Sequence, residues 1–159
     1  MAVWQFELDP IPARAAVIEG VPAIHLGPDV RDTIVLGLAP GEREQLVEAI
    51  SDLLPRQDAW SPGLMVWGNM RGTDVQLFLD EDGADVLKIR IDAKTYSTDL
   101  IDALCVIALA FDWGFLTDRG AVLQPTSDAV LRALLQSPAR QFVEHPKTAI
   151  ARAVERLRE

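Results

Sequence analysis

The stretch LMVWGNMRGTDVQLFLDEDGADVLKIRID, residues 64–92, carries the clearest β-pattern in the sequence. Apolar and polar side chains alternate through most of it, which is the period of strands in a half-buried sheet. Turn-forming residues divide it into three runs, 64–70, 73–80 and 84–92. We therefore predict three consecutive antiparallel strands that are joined by short hairpin loops.

The two hairpin loops determine which strand residues face each other. Arg71-Gly72 suits a two-residue loop between the first two strands. A three-residue loop at 81–83 would place Gly83 where the backbone must be left-handed. In this second hairpin the register opposes apolar to apolar and acid to base. The predicted pairs are Leu77 with Leu87, Val75 with Ile89, and Asp74 with Arg90.

The carboxylates of the second loop raise the alternative of a calcium site. With Asp80 and Asp82 at the first and third positions of an EF-hand loop, the position that requires glycine holds Asp85. The position that requires the closing glutamate holds Ile91. The acids therefore predict a solubilised hairpin tip, not a metal loop or a catalytic cluster.

Helical patterns flank the three strands. Apolar residues recur at helical spacing after Gly41, and a second helix is expected from about Thr98 to Trp113. Opposite its main apolar face, this second helix also carries Val106, Leu109 and Trp113. Because it is apolar nearly all round, we expect it to be buried on more than one side.

The whole pattern predicts a single α+β domain, residues 1–159. Residues 1–40 form an irregular, β-rich start, 41–136 an α-β-β-β-α-β-β-α core, and 137–159 C-terminal helices. The order β-rich start-α-β-β-β-α-β-β-α-α, with short connections, favours a mainly antiparallel sheet with helices packed on it. The expected architecture is a two-layer sandwich, and 159 residues suffice for its core.

The charge of the chain is strongly acidic. Fifteen Lys and Arg residues against 24 Asp and Glu residues give a formal net charge of −9. Residues 74–128 concentrate the acidity, with 11 acids and four bases. Since nucleic-acid binding depends largely on bases that neutralise phosphates, we expect no nucleic-acid partner. An acidic surface suits a basic protein partner, but such acidity more often serves solubility alone.

The sequence shows no pattern for export or membrane insertion. No signal-peptide pattern is present, and the longest apolar run, 103–111, is far shorter than the roughly 18 residues of a membrane span. The single Cys105 rules out an internal disulfide and fits a reducing compartment. We therefore expect a cytoplasmic protein without a membrane partner.

Catalytic motifs are missing, which lowers the expectation of an enzyme. The sequence holds no HExxH, CxxC, GxSxG, Walker or GxGxxG motif. His25, His145 and Cys105 each lie in a context typical of a structural residue. We assign no catalytic residue, no cofactor and no metal. The alternative is a small hydrolase or other enzyme that uses carboxylates near element ends, such as Asp92 or Asp112.

The predicted binding surface is the side of the three strands that faces away from the core. If residues 71–72 close a two-residue loop, Val66 and Gly68 lie on the core side. The other side then combines apolar with basic side chains, where a solvated sheet would be polar. The predicted binding residues are Met65, Trp67, Phe78, Val86, Lys88 and Arg90.

Trp67 is the expected anchor of this surface, with Met65 and Phe78 beside it, because tryptophan often carries a large share of interface energy. The alternative is that the chain itself covers this apolar side. Either residues 1–40 or the C-terminal helix would then lie on it, in place of another protein.

Two resemblances point to a protein-binding role. In element order, size and acidity, residues 41–133 resemble type III secretion chaperones. The stretches RIDAKTYSTDLIDALCVIALAFDWGFL (90–116) and ALLQSPARQFVEHP (133–146) are similar to small uncharacterised bacterial proteins, among them ones of the toxin-immunity kind. The first resemblance implies a homodimer that holds an unfolded segment of another protein on apolar grooves. Both imply a non-enzymatic protein whose partner is another protein or a second copy.

Overall fold

The computed structural model describes residues 2–158. Its helices are α1 (Pro28–Arg31), α2 (Glu42–Leu53), α3 (Thr98–Ala110), α4 (Ser127–Leu135), α5 (Pro138–Glu144) and α6 (Pro146–Arg158), with a 3-10 turn at Ala13–Ala16. Its strands are β1 (Gln5–Pro12), β2 (Val17–Ile18), β3 (Val21–Pro22), β4 (Arg56–Gln57), β5 (Leu64–Gly68), β6 (Asp74–Phe78), β7 (Val86–Asp92), β8 (Trp113–Thr117) and β9 (Val122–Leu123). None of these helices combines the length and the apolarity needed to cross a membrane.

One antiparallel sheet of seven strands organises the molecule, in the order β4-β5-β6-β7-β1-β8-β9. The strands β2 and β3 pair separately and form a two-stranded ribbon. Helices α2, α3, α4 and α5 contribute buried residues to the main core on one face of the large sheet. This arrangement confirms the predicted α+β fold with a mainly antiparallel sheet.

The N-terminal strand β1 lies in the middle of the sheet. Its residues 5–8 pair with β7, and its residues 8–12 pair with β8. Proline has no N–H to donate and is usually confined to sheet edges. Pro10 and Pro12 are accommodated because pairing with β7 ends at Leu8, so one side of this half of the strand carries no ladder bonds.

The predicted register of the β6–β7 hairpin is confirmed by the pairs Asp74–Arg90, Val75–Ile89 and Leu77–Leu87. Gly83 in its loop has φ +81°, the left-handed conformation expected there. Asp85 of the same loop is buried and accepts hydrogen bonds from Arg43 Nε at 2.7 Å and from the Asp80 N–H at 2.9 Å. This acid therefore ties the loop to α2.

The predicted register of the β5–β6 hairpin is wrong by one residue. The loop spans residues 69–73 instead of 71–72. Inside it the Asn69 side chain accepts a hydrogen bond from the Arg71 N–H at 2.9 Å, which closes a local turn that a two-residue loop lacks. Since successive strand residues point to opposite faces, a shift by one exchanges the two faces of β5, Trp67 included.

Helices α2 and α3 begin where the sequence predicts, whereas the short α1 was not predicted. Ser97 caps α3, with its hydroxyl oxygen accepting from the Leu100 N–H at 3.2 Å. However, α3 ends at Ala110, three residues before the predicted end. Asp112 there adopts a left-handed backbone, φ +55°, and Trp113 already belongs to β8.

The N-terminal region covers part of the outer face of the sheet, opposite the main helices. A small apolar cluster lies there, formed by Ile11, Ala16, Leu26 and Leu116. Ala23 and Ile34 pack against this cluster. Residues 1–40 therefore cover this face at its β1–β8 end, beside and not over the three strands for which the sequence left the coverage open.

Candidate protein-binding surface

Trp67, the predicted anchor of the binding surface, lies in the core. It is 0% exposed, and its indole N–H donates to Ser51 Oγ at 3.0 Å. The Arg56 guanidinium lies over the ring, 5.3 Å from the ring centroid. Met65 lies on the same side of β5 and packs, half-buried, against the core. The predicted outward placement of Trp67 and Met65 is therefore wrong.

The other four predicted binding residues do lie on the outer face. Phe78 and Val86 are paired across β6 and β7, and both are half-buried. Lys88 and Arg90 follow Val86 at alternate positions of β7 and are also half-buried. Of the four apolar side chains that were predicted for this face, only Phe78 and Val86 therefore lie on it. A binding role for these four residues stays a prediction.

Charged side chains fill the middle of the outer face. The Arg90 guanidinium binds the fully buried Asp74 carboxylate, with Nε 2.7 Å from Oδ1. Lys88 Nζ lies 3.0 Å from Glu7 Oε1 and 3.5 Å from Asp9 Oδ2. We call these five residues the charged ladder. Because acids and bases alternate across β6, β7 and β1, the ladder stabilises pairing within the sheet.

Asp9, at one end of the charged ladder, is incompletely paired. Its Oδ1 is buried and has no hydrogen-bond partner within residues 2–158. Burial, followed by the nearby Glu7 carboxylate, raises the pKa of Asp9 to about 6 against the opposing effect of Lys88. A cavity of about 210 Å³ adjoins Asp9, and residues 31–36 form much of its opposite wall.

Exposed aliphatic side chains lie instead on the outer side of α3. Val106 is 65% exposed and Leu109 is 64% exposed. Asp99 and Asp102 precede them at spacings of three and four residues and are exposed as well. Such spacing aligns all four side chains along one side of the helix. We call Asp99, Asp102, Val106 and Leu109 the α3 stripe.

A groove of about 340 Å³ runs beside Leu109. It lies between the end of α3 and the β2–β3 ribbon, and Val17 and Trp113 contribute to its walls. The ribbon adds exposed aliphatic side chains, with Val17 at 45% and Val21 at 63% exposure. We call this depression the ribbon groove. Adjoining exposed apolar side chains of this kind mark protein-binding sites on soluble domains.

The sequence did contain a signal for this surface. The apolar residues all round α3 led to the prediction that this helix is buried on more than one side. Within the part of the chain that the structure describes, Val106 and Leu109 are solvent-exposed, so that prediction is wrong for the isolated chain. The apolar pattern indicated the helix that carries the exposed surface. The prediction, however, placed the second apolar side of α3 in the protein interior.

The histidines and the cysteine do not form a catalytic group. His25 Nε2 lies 2.9 Å from the Arg119 carbonyl oxygen, near the β8–β9 turn. His145 is exposed and ends α5. Cys105 is buried in the core, where desolvation raises the pKa of its thiol. These three side chains therefore lie in separate parts of the fold.

The acids that the enzyme alternative invoked are also separate. Asp92 on β7 accepts a hydrogen bond from the Lys94 N–H at 2.8 Å, whereas Asp112 is exposed after α3. Among residues 2–158, no three or more His, Cys, Asp or Glu side chains are placed to hold a metal ion together. Asp9 is the acid whose surroundings sequence reasoning missed, because they depend on the long-range pairing of β1 with β7.

Comparison with known proteins finds no relative: no family model, curated protein or solved structure matches the chain. The resemblances to type III secretion chaperones and toxin-immunity proteins therefore stay predictions.

Proposed function

We propose that this chain is a non-catalytic protein-binding module whose binding surface comprises the α3 stripe and the ribbon groove. The exposure of Val106 and Leu109, on a helix whose other side is core, is the observation that carries the proposal. Protein binding is also the class of function that the sequence predicts. The proposed surface lies on the helical layer, whereas the sequence predicted the outer face of the sheet.

The proposed surface combines exposed aliphatic side chains with acids at one end. Complete burial of a valine or leucine side chain contributes about 1.5–3 kcal/mol. Two such side chains beside a groove can therefore anchor an apolar segment of a partner. The exposed carboxylates of Asp99 and Asp102 at one end favour a partner with lysine or arginine next to that segment.

A chaperone-like or immunity-like role is the finer part of the proposal. A chaperone would hold an apolar segment of an unfolded protein in the ribbon groove, and an immunity protein would cover a basic toxin surface. Either role suits an acidic chain with net charge −9. We place this activity in the cytoplasm, because the single cysteine, Cys105, is a free thiol.

The test is a quantitative pull-down with matched surface variants. Leu109→Asp introduces a charge into the α3 stripe, and Trp60→Asp introduces the same charge at a 62% exposed aromatic in the loop before β5. We expect a partner that wild type and Trp60→Asp retain equally and that Leu109→Asp retains at least about tenfold less. Equal recovery by all three proteins would remove the α3 stripe as the binding surface.

A carboxylate enzyme is the second candidate, and Asp9 is the observation that favours it. A carboxyl with a pKa of about 6 beside a cavity suits a general acid near neutral pH. Hydrolysis of ester and phosphoester substrates by the wild type tests this alternative. An activity that is lost in Asp9→Asn and kept in Asp29→Asn, an exposed acid on α1, would support it.

A further inference from the structure

The C-terminal helix α6 is poorly covered by the rest of the chain. It has no buried residue, and its main packing partner is the preceding helix α5. Ile150, Val154 and Leu157 are 54%, 41% and 88% exposed. Since these aliphatic residues recur at spacings of four and three, they form an apolar line along the helix. An amphipathic helix with such a line is typical of a segment that binds another surface.

The charge of α6 is opposite to that of the rest of the molecule. Residues 146–158 contain four bases and one acid, whereas residues 1–145 contain 11 bases and 22 acids. Within the described residues, the ion pairs involve none of the four α6 bases, which are Lys147, Arg152, Arg156 and Arg158. Arg152 and Arg156 line a cavity of about 360 Å³ whose walls also carry Glu7 and Asp118. Val154 and Leu157 of the apolar line face solvent instead.

The α3 stripe has the complementary properties. It carries two exposed aliphatic side chains and two exposed acids, and it has no base. The order of helix contacts is α3-α4-α5-α6, which places two helices between α3 and α6 of the same chain. The α6 helix therefore cannot reach the α3 stripe of its own chain without leaving α5.

We propose that α6 of one copy packs on the α3 stripe of a second copy, and that the reciprocal contact closes a two-fold homodimer. This inference rests on the proposed function, because it names a second copy as a partner of the α3 stripe. An isologous arrangement uses both contacts at once. Two pairs of helices then form the interface. One pair alone would bury less surface than a stable complex needs.

An antiparallel orientation of the two helices matches their side chains best. Leu109 then lies against Ile150, and Val106 lies against Val154. The acids at the start of α3 meet the bases that end α6, among them Arg158. Antiparallel packing also brings the positive N-terminal end of each helix dipole to the negative C-terminal end of the other.

Sedimentation equilibrium of three variants tests the contact. Leu109→Asp and Val154→Asp place an acid on the two sides of the same interface, and Trp60→Asp is the control at an exposed site elsewhere. We expect a wild-type dimer. We also expect at least about a 30-fold higher dissociation constant in Leu109→Asp and in Val154→Asp. Trp60→Asp is expected to dimerise like wild type.

Mixing the two disruptive variants distinguishes an α3–α6 contact from α3–α3 or α6–α6 packing. The Leu109→Asp copy retains an intact α6, and the Val154→Asp copy retains an intact α3 stripe. One complete contact can therefore form in the mixed dimer. We expect the mixture to associate more tightly than either variant alone, and no gain on mixing would overturn the inference.

The other outcomes separate this inference from the proposed function. A wild-type protein that stays monomeric at roughly 100 µM overturns the homodimer. If Leu109→Asp then still loses a foreign partner in the pull-down, the proposed binding surface stands without the homodimer. Co-sedimentation with phosphatidylglycerol vesicles that only Val154→Asp abolishes would assign α6 to an anionic membrane surface and also overturn the inference.

Discussion

Asp9 is a single carboxyl group whose burial affects the stability of the whole fold. Its pKa rises from 3.8 to about 6 on folding, so the folded state binds the proton more tightly than the unfolded state does. The contribution of Asp9 to stability is therefore present at pH values below about 4. It falls as the pH rises to about 6, and it is absent above that value.

Replacing Asp9 by asparagine should remove this penalty. Because about a quarter of the side chain, 26%, is exposed, we expect Asp9→Asn to increase the free energy of unfolding by only about 1–2 kcal/mol at pH 7.5. At pH 4.5 we expect at most half of that difference. Urea denaturation at both pH values measures it, with the exposed Asp29→Asn as control. A gain that is independent of pH, or a loss at pH 7.5, would contradict this account.

Trp67 and Phe78 should differ strongly in what they contribute to stability. Trp67 is fully buried, so Trp67→Ala is expected to lower the free energy of unfolding by about 3–5 kcal/mol. Phe78 is half-buried on the other face, and Phe78→Ala should cost less than about 2 kcal/mol. Denaturant unfolding of both variants measures these two losses of free energy. Similar small losses would mean that Trp67 is not a core residue.

The placement of Trp67 could not be predicted from the strand pattern alone. Residues 64–67 of β5 are all apolar, so an alternating pattern cannot tell the core face from the outer face. The register is set instead by the turn that Asn69 closes with the Arg71 N–H. In contrast, Lys88 and Arg90 were placed on the correct face, because β7 alternates clearly between apolar and polar residues.

Two glycines with the same backbone conformation offer a matched test of the hairpins. Gly68 has φ +85° and Gly83 has φ +81°. A Cβ at Gly83 meets no atom within 4 Å, whereas one at Gly68 would collide with the Thr73 carbonyl oxygen and lie 3.2 Å from Asp74 Cα. The two substitutions to alanine therefore share the backbone cost and differ in the steric cost.

We expect Gly83→Ala to lower the free energy of unfolding by about 1–2 kcal/mol, the cost of a left-handed backbone. Gly68→Ala should cost at least about 3 kcal/mol, because the clash with backbone adds to that cost. Thermal and urea unfolding of the two variants give the comparison. Equal losses would show that the tight β5–β6 turn differs from the one described.

Elements that depend on local signals were predictable, and their long-range partners were not. The start of α3 at Ser97 and the left-handed Gly83 follow from neighbouring residues. The position of β1 between β7 and β8 depends on pairing with residues more than 80 positions away, for which the sequence carries no local signal. The charged ladder and the buried Oδ1 atom of Asp9 were missed for the same reason.

The basic helix α6 and the acidic remainder of the chain predict a salt-sensitive dimer. Charge pairs at an exposed interface are screened within about 10 Å at 0.1 M salt. We expect the dissociation constant of the homodimer to rise several-fold between low and high salt. The apolar contacts of Val106 and Leu109 should keep the two copies associated at high salt. Sedimentation equilibrium at the two salt concentrations measures the change, and complete salt independence would exclude the acid–base part of the interface.

The accessibility of position 109 tests most directly whether the outer side of α3 is a binding surface. Maleimide labelling of Leu109→Cys reports this accessibility, with Trp60→Cys as the exposed control and the buried Cys105 as the background. In dilute purified protein we expect both introduced thiols to react at similar rates. In the dimer, or in the complex with a captured partner, only Leu109→Cys should slow, by about tenfold or more. Equal rates for both thiols under all conditions would contradict the account.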